Sequence, residues 1–215
     1  MELKKIVDKV KEEVKVLKGE ETKDKTYTNQ NEYPDAQTAR RHFELAKQKL
    51  FDVNGWNNLS GLTSTFNLYD QYGNESDSQK PEIGYFIGIV LPATTIDNWV
   101  QVTDIREDEN IAEFVVHPSK KPEKLAEDEQ EDKKAIKHFF IKEASSTFRV
   151  ELQGNTLIGS EIGKNEGINN QGEEAGSRPV LNTLVAEGGW AQVQEIQWNK
   201  LTAYLVHLQD DNEVS

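Results

Sequence analysis

The residues best suited to chemistry are gathered between Phe139 and Glu166. Read as extended chain, Thr147, Arg149 and Glu151 share one face, while Ser146, Phe148, Val150 and Leu152 share the other. The segment after them sets Glu161 opposite Ile158, Ser160 and Ile162. If the Phe148 face is the core, Arg149 and Glu151 form a solvent-facing pair worth under about 1 kcal/mol. The alternative carries Glu161 or Glu166 into a cavity, where desolvation raises a carboxyl pKa and makes a usable general acid or base. Lys164-Asn165-Glu166 is equally compatible with a polar cap on the following turn.

No other arrangement of residues spells a known chemistry. The chain has no phosphate-cradling Gly-x-x-x-x-Gly-Lys, no His-Glu-x-x-His and no dinucleotide fingerprint, and Gly159-Ser160-Glu161 lacks the flanks of a nucleophile elbow. His42, His117, His138 and His207 are far apart, with no pair at metal-ligand spacing on one element. No metal and no cofactor is therefore expected. Cysteine is absent, which removes thiol nucleophiles and disulfides together and suits a reducing compartment.

Charge narrows the partners. With 38 acidic against 25 basic residues the formal charge is −13, which disfavours nucleic acid and anionic membrane surfaces. Met1 to Leu17 lacks the apolar stretch of a secretion signal, and no window reaches the roughly 18 apolar residues of a membrane span. The expectation is a soluble, cytoplasmic protein.

The elements that must position these residues follow from periodicity. Leu3, Val7, Val10, Val14 and Leu17 alternate steps of four and three, a helix over residues 2–18 that must dock on the domain or on a second copy. Residues 20–34 are polar without an apolar period and read as a linker, so the chain divides into 1–34 and a single α+β domain over 35–215. A helix starts near Asp35, with Asp35 or Thr38 as its cap, and ends before Asn54-Gly55, after which Trp56 plugs one end of the core.

From Leu62 the period is two. Strands are expected at Leu62–Tyr69, at Ile83–Leu91, as a hairpin of Trp99–Ile105 with Ile111–His117 closed by Pro118, and as a hairpin of Phe139–Leu152 with Thr156–Lys164. Gly84 and Gly88 leave one face of their strand bare, as a bent sheet or a closely pressed group requires. The charge run Glu127 to Lys134 reads as a solvated loop or short exposed helix. Pro179 to Gln209 is one helix, or two broken at Gly188-Gly189, with the apolar stripe Val193, Leu201, Tyr204, Leu205 and Leu208. Gln194 and Gln197 point along that apolar side, where they touch a ligand or bond to sheet backbone.

A helix ending near Trp56, about six meandering strands and a long final helix together make an element order that resembles the START-like helix-grip superfamily, also called SRPBCC-type, over residues 36–209. The resemblance implies a curved antiparallel sheet of about six or seven strands wrapped around a long C-terminal helix, with a hydrophobic cavity between them. It rests on no residue motif and transfers no functional residue. The superfamily opens with a strand, and only Thr26-Tyr27-Thr28 could supply it here.

The leading functional reading is a binding protein for a hydrophobic or aromatic small molecule. Its pocket residues would be Phe66, Tyr85, Trp99, Phe114 and Phe148 from the sheet, with Trp190, Gln194, Gln197 and Tyr204 from the helix. One alternative is a cyclase- or hydrolase-type enzyme using a cavity carboxylate, Glu161 or Glu166. Another is a non-catalytic interaction protein that forms a homodimer through residues 3–17.

Overall fold

The period-two segments pair into one sheet in the computed structural model, which describes residues 22–59, 62, 64–90, 97–126, 142–166 and 189–209. The elements are β1 (Lys23–Glu32), α1 (Ala36–Phe51), a 3-10 turn (Asn54–Asn58), β2 (Thr65–Tyr69), β3 (Phe86–Val90), β4 (Asp97–Glu107), β5 (Ile111–Ser119), α2 (Glu123–Ala126), β6 (Ser145–Gln153), β7 (Thr156–Glu166) and α3 (Gly189–Leu205). The strands form a seven-stranded antiparallel sheet in the order β1-β7-β6-β5-β4-β3-β2. Curved around the C-terminal helix, this is the helix-grip architecture.

Register decides which side chains share the inner face. Phe66 lies opposite Ile89 and Leu68 opposite Ile87, and Ile87 in turn lies opposite Val100. Farther along, Phe114 faces Phe148 and Leu152 faces Leu157. These residues meet the buried side of α1, which carries Phe43, Ala46, Leu50 and Phe51, and that of α3, which carries Trp198, Leu201, Tyr204 and Leu205. Burial of this apolar surface is the main force holding sheet to helices. Asp35 caps α1 by accepting a hydrogen bond from Thr38 N at 2.7 Å. Trp56 is fully buried and its indole N–H donates to the Lys49 carbonyl at 2.9 Å, so its polar edge is satisfied inside the core.

The 20–34 linker is corrected by β1. Its residues alternate half-buried and exposed along the whole strand, with polar side chains on both faces. The inner polar residues bond to α3 and to the residue just after it: Asn29 Nδ2 donates to Thr202 Oγ1 at 2.8 Å and Asn31 Nδ2 to the Val206 carbonyl at 3.0 Å. Hydrogen bonding at these positions, with Tyr27 alone packing on the core, is why no hydrophobic period marks this strand. Thr26-Tyr27-Thr28 sits at its middle, paired with Ile162, Glu161 and Ser160.

Two boundaries also move. β5 runs past Pro118, which lies opposite Val100, so the proline does not close the hairpin. α3 stops at Leu205, and His207 takes a left-handed backbone with φ 61°, which leaves Leu208 half exposed and off the buried stripe. Gly159 sits where α3 crosses the sheet: a Cβ there would stand 2.9 Å from the Thr202 carbonyl oxygen. The expected helix over residues 2–18, the charge run 127–134 and the stretch 179–188 lie outside the described residues.

Candidate functional site

Between the inner face of the sheet and the N-terminal half of α3 is a cavity of about 80 Å³. That is several times the roughly 10–15 Å³ a cavity needs to admit one water. Four rings close around it. Trp56 meets Phe66 at 5.5 Å between centroids and Phe148 at 5.1 Å; Trp198 meets the same two phenylalanines at 6.2 and 5.5 Å. Each ring therefore touches two others, and the set forms a box with edge-on and tilted contacts suited to a flat apolar guest. Ile87, Ile89, Val100 and Val116 complete the apolar wall from the middle strands.

The polar part of the lining comes from strand ends and from one helix face. Ser64, Asn98, Ser145, Ser146 and Glu166 border the cavity from the sheet side, Gln194 and Gln197 from α3. Gln194 Oε1 accepts from Lys25 Nζ on β1 at 3.1 Å. Three of the others lack partners: Ser64 Oγ, both amide atoms of Asn98 and Gln197 Oε1 are buried with no hydrogen bond. Their residues are 4, 9 and 5% exposed. A buried polar group left unpaired costs roughly 1–3 kcal/mol, and native cores rarely leave several together.

Two carboxyls lie at this end of the inner face. Glu161 is completely buried opposite Phe148 on β6 and Tyr27 on β1, so it belongs to the core side of β7. Burial holds its pKa well above the ordinary carboxylate range, and the neighbouring Glu166 charge pushes the same way. Ser146 and Lys25 oppose the shift. The Ser146 approach falls short of a hydrogen bond of ordinary geometry, since neither Glu161 oxygen has one.

Glu166 reaches the inner face by a break in the alternation. Strand period alone would turn Asn165 inward and Glu166 outward. Instead the register with β1 shifts between Lys23 and Lys25, Asn165 adopts φ 51°, and its N–H is held by the Asp24 carboxylate at 3.0 Å. Asn165 is exposed and Glu166 buried. A bulge that re-aims one side chain is a common device at strand ends. Gly163 makes the room: a Cβ on it would lie 2.2 Å from Glu166 Oε1.

The expected site residues separate accordingly. Phe66, Phe148, Gln194 and Gln197 line the cavity, as does Glu166, whereas Glu161 lies outside the lining. Phe114 packs behind the box against Trp56 and Phe148, and Tyr85 is a partly buried neighbour of the core. Tyr204 lies away from the cavity, with Lys49 Nζ 4.1 Å above its ring. Trp99 is placed on the outer face: register pairs it with Gly88, whose missing side chain its ring covers, and Tyr69 packs beside it at 4.9 Å. Its neighbours Asn98 and Val100 are the ones turned inward. The side chain of Trp190 lies outside what is described.

Residues that pattern reading passed over include Trp198, Trp56 as a wall rather than a plug, and the trio of Ser64, Asn98 and Ser146. The alternation of Ser64 with Phe66, and of Asn98 with Val100, was the available signal. Arg149 pairs with Glu113 on the neighbouring strand rather than with Glu151 on its own. His42 and His207 meet with ring centroids 5.1 Å apart, His42 stacked on Tyr33, away from the cavity. Among the described residues no group of three or more His, Asp or Glu is arranged to hold a metal ion, and no helix is long and apolar enough to cross a membrane.

No protein-family model and no curated protein sequence matches the chain. Among solved structures, a hypothetical protein from Helicobacter pylori is similar with a TM-score of 0.51 and 13% identity, covering 89% of this chain and 92% of the other. A point mutant of norcoclaurine synthase from Thalictrum flavum gives 0.45 and 6% identity over 88% and 98%. The major latex-like protein 151 from Panax ginseng gives 0.36 and 11% over 80% and 95%. The first likeness concerns the fold alone, and the two lower scores carry no argument about activity.

Proposed function

We propose that the protein binds a small, flat, largely apolar molecule between its sheet and α3. The observation that carries this reading is the box of Trp56, Phe66, Phe148 and Trp198 around an open volume, where a packed core would have brought side chains together. The test is saturable one-to-one uptake of a neutral fluorescent aromatic probe by the purified chain. Uptake should disappear in Ile89→Phe, which fills the cavity from the middle of the sheet. Absence of saturable uptake by the unaltered chain would overturn the reading.

A second reading, acid or base catalysis on the bound molecule, is favoured by one feature, the entry of Glu166 into the cavity wall with Glu161 buried near it. Glu166 would be the group that exchanges a proton with the guest, and Glu161 would act through it. Carboxyl titration by NMR decides: this reading needs Glu166 to titrate in the neutral range, and an ordinary value removes it.

A further inference from the structure

Resting on the binding reading above, we infer that the guest is a neutral cyclic amide, a planar ring whose edge presents a carbonyl acceptor beside an N–H donor. The inference comes from the polar groups the cavity leaves unmatched. Ser64 shares the inner face with Phe66, which lies opposite Ile89, and Ile89 lies opposite Asn98. Ser64 and Asn98 therefore stand at the same end of the middle strands, and Gln197 lines the same cavity from the helix.

Every unpartnered polar atom in that lining is neutral, a hydroxyl oxygen and carboxamide atoms. Asn98 offers a donor and an acceptor side by side, and the group that satisfies both at once is another amide edge. Gln197 Oε1 takes a further donor, and the Ser64 hydroxyl serves in either role. A site built around such groups rejects a guest that leaves them unpaired far more strongly than an apolar pocket rejects a wrong shape. An anionic guest is disfavoured by Glu166 in the wall and by the chain's charge of −13. Lys25, the cation bonded to a lining residue, donates to Gln194 and is not itself part of the lining. The free carboxylate of a fatty acid thus meets no cationic side chain in the described lining.

The experiment compares three two-ring probes of similar size, 2-quinolinone, naphthalene and 2-naphthoate, titrated into the full chain and followed by the side-chain amide signals of Asn98 and Gln197. The expected result is binding of 2-quinolinone about tenfold tighter than naphthalene or better, with 2-naphthoate weakest. In Asn98→Leu the preference should fall to about one while naphthalene still binds. Equal binding of 2-quinolinone and naphthalene by the unaltered chain overturns the cyclic-amide assignment and leaves the binding reading standing. Tightest binding of 2-naphthoate overturns the neutral assignment, and failure of all three overturns both.

Discussion

Phe148 and Glu161 lie directly opposite each other on neighbouring strands, so a ring of the cavity wall and a fully buried carboxyl share one face of the sheet. Burial favours the protonated form of such a carboxyl, because neither of its oxygens has a hydrogen-bond partner to hold the charge.

This predicts a pH dependence. The folded state holds the Glu161 proton to a higher pH than the unfolded chain does, so the folded state binds more protons across that interval. The group's contribution to stability is therefore greatest in the ordinary carboxylate range and falls as pH rises from there through its folded value. Asp24, Asp35, Asp70 and Glu107, all lowered, act in the opposite direction. Subtracting urea midpoints of Glu161→Gln from those of the unaltered chain between pH 5 and 8 cancels them. The variant should gain relative stability as pH rises, and a flat difference would rule the account out.

Gly159 and Gly163 lie four residues apart on β7 and should respond differently to alanine. At Gly159 the new methyl meets helix backbone, which cannot step aside, and the cost should be about 1–3 kcal/mol. At Gly163 it meets the far end of the Glu166 side chain, which can swing away. Gly163→Ala should keep most of the stability while moving Glu166 out of the cavity wall, visible as a changed Glu166 titration in NMR.

Gln197 should be a place where stability and binding are opposed. Its buried carbonyl oxygen has no partner, so Gln197→Met should raise the stability of the free protein by about 1 kcal/mol in urea unfolding. An unchanged or lower midpoint would mean that the amide is satisfied in solution.

The polar strand β1 should be held to α3 by its amides. Asn31→Leu and Asn29→Leu each remove donors to the helix, and each should cost about 1 kcal/mol. Native-state hydrogen exchange should show β1 opening more readily in both variants, with β4 to β6 unaffected.

Much of this architecture was legible in the sequence because most strands bury apolar residues at period two and α1 and α3 at helical period. Those patterns located the hairpins, Asp35 as a cap and the inner face of Phe66 and Phe148. β1 was missed because its inner face sets one ring, Tyr27, among Lys25, Asn29 and Asn31, whose hydrogen bonds to the C-terminal segment replace the apolar residues a period needs. Trp99 misleads for a related reason. A large aromatic residue reads as core, yet here it fills the space beside Gly88 on the outer face, so both faces of that strand are covered. The direction of Glu166 depends on a bulge and on one left-handed residue, and neither alters the composition that periodicity measures.

The pairing of β1 with β7 also bears on how the chain reaches its native state. Thr28 touches Ser160 across 132 positions, so the first described strand has no ladder partner until the last one exists. Closing so long a loop is slow, and during synthesis the β1 segment must wait in water with its backbone unpaired. An apolar strand left waiting would recruit neighbouring chains. The Lys, Thr, Asn and Gln residues that hide β1 from pattern reading let it wait without aggregating, and the same inward amides secure it once α3 arrives.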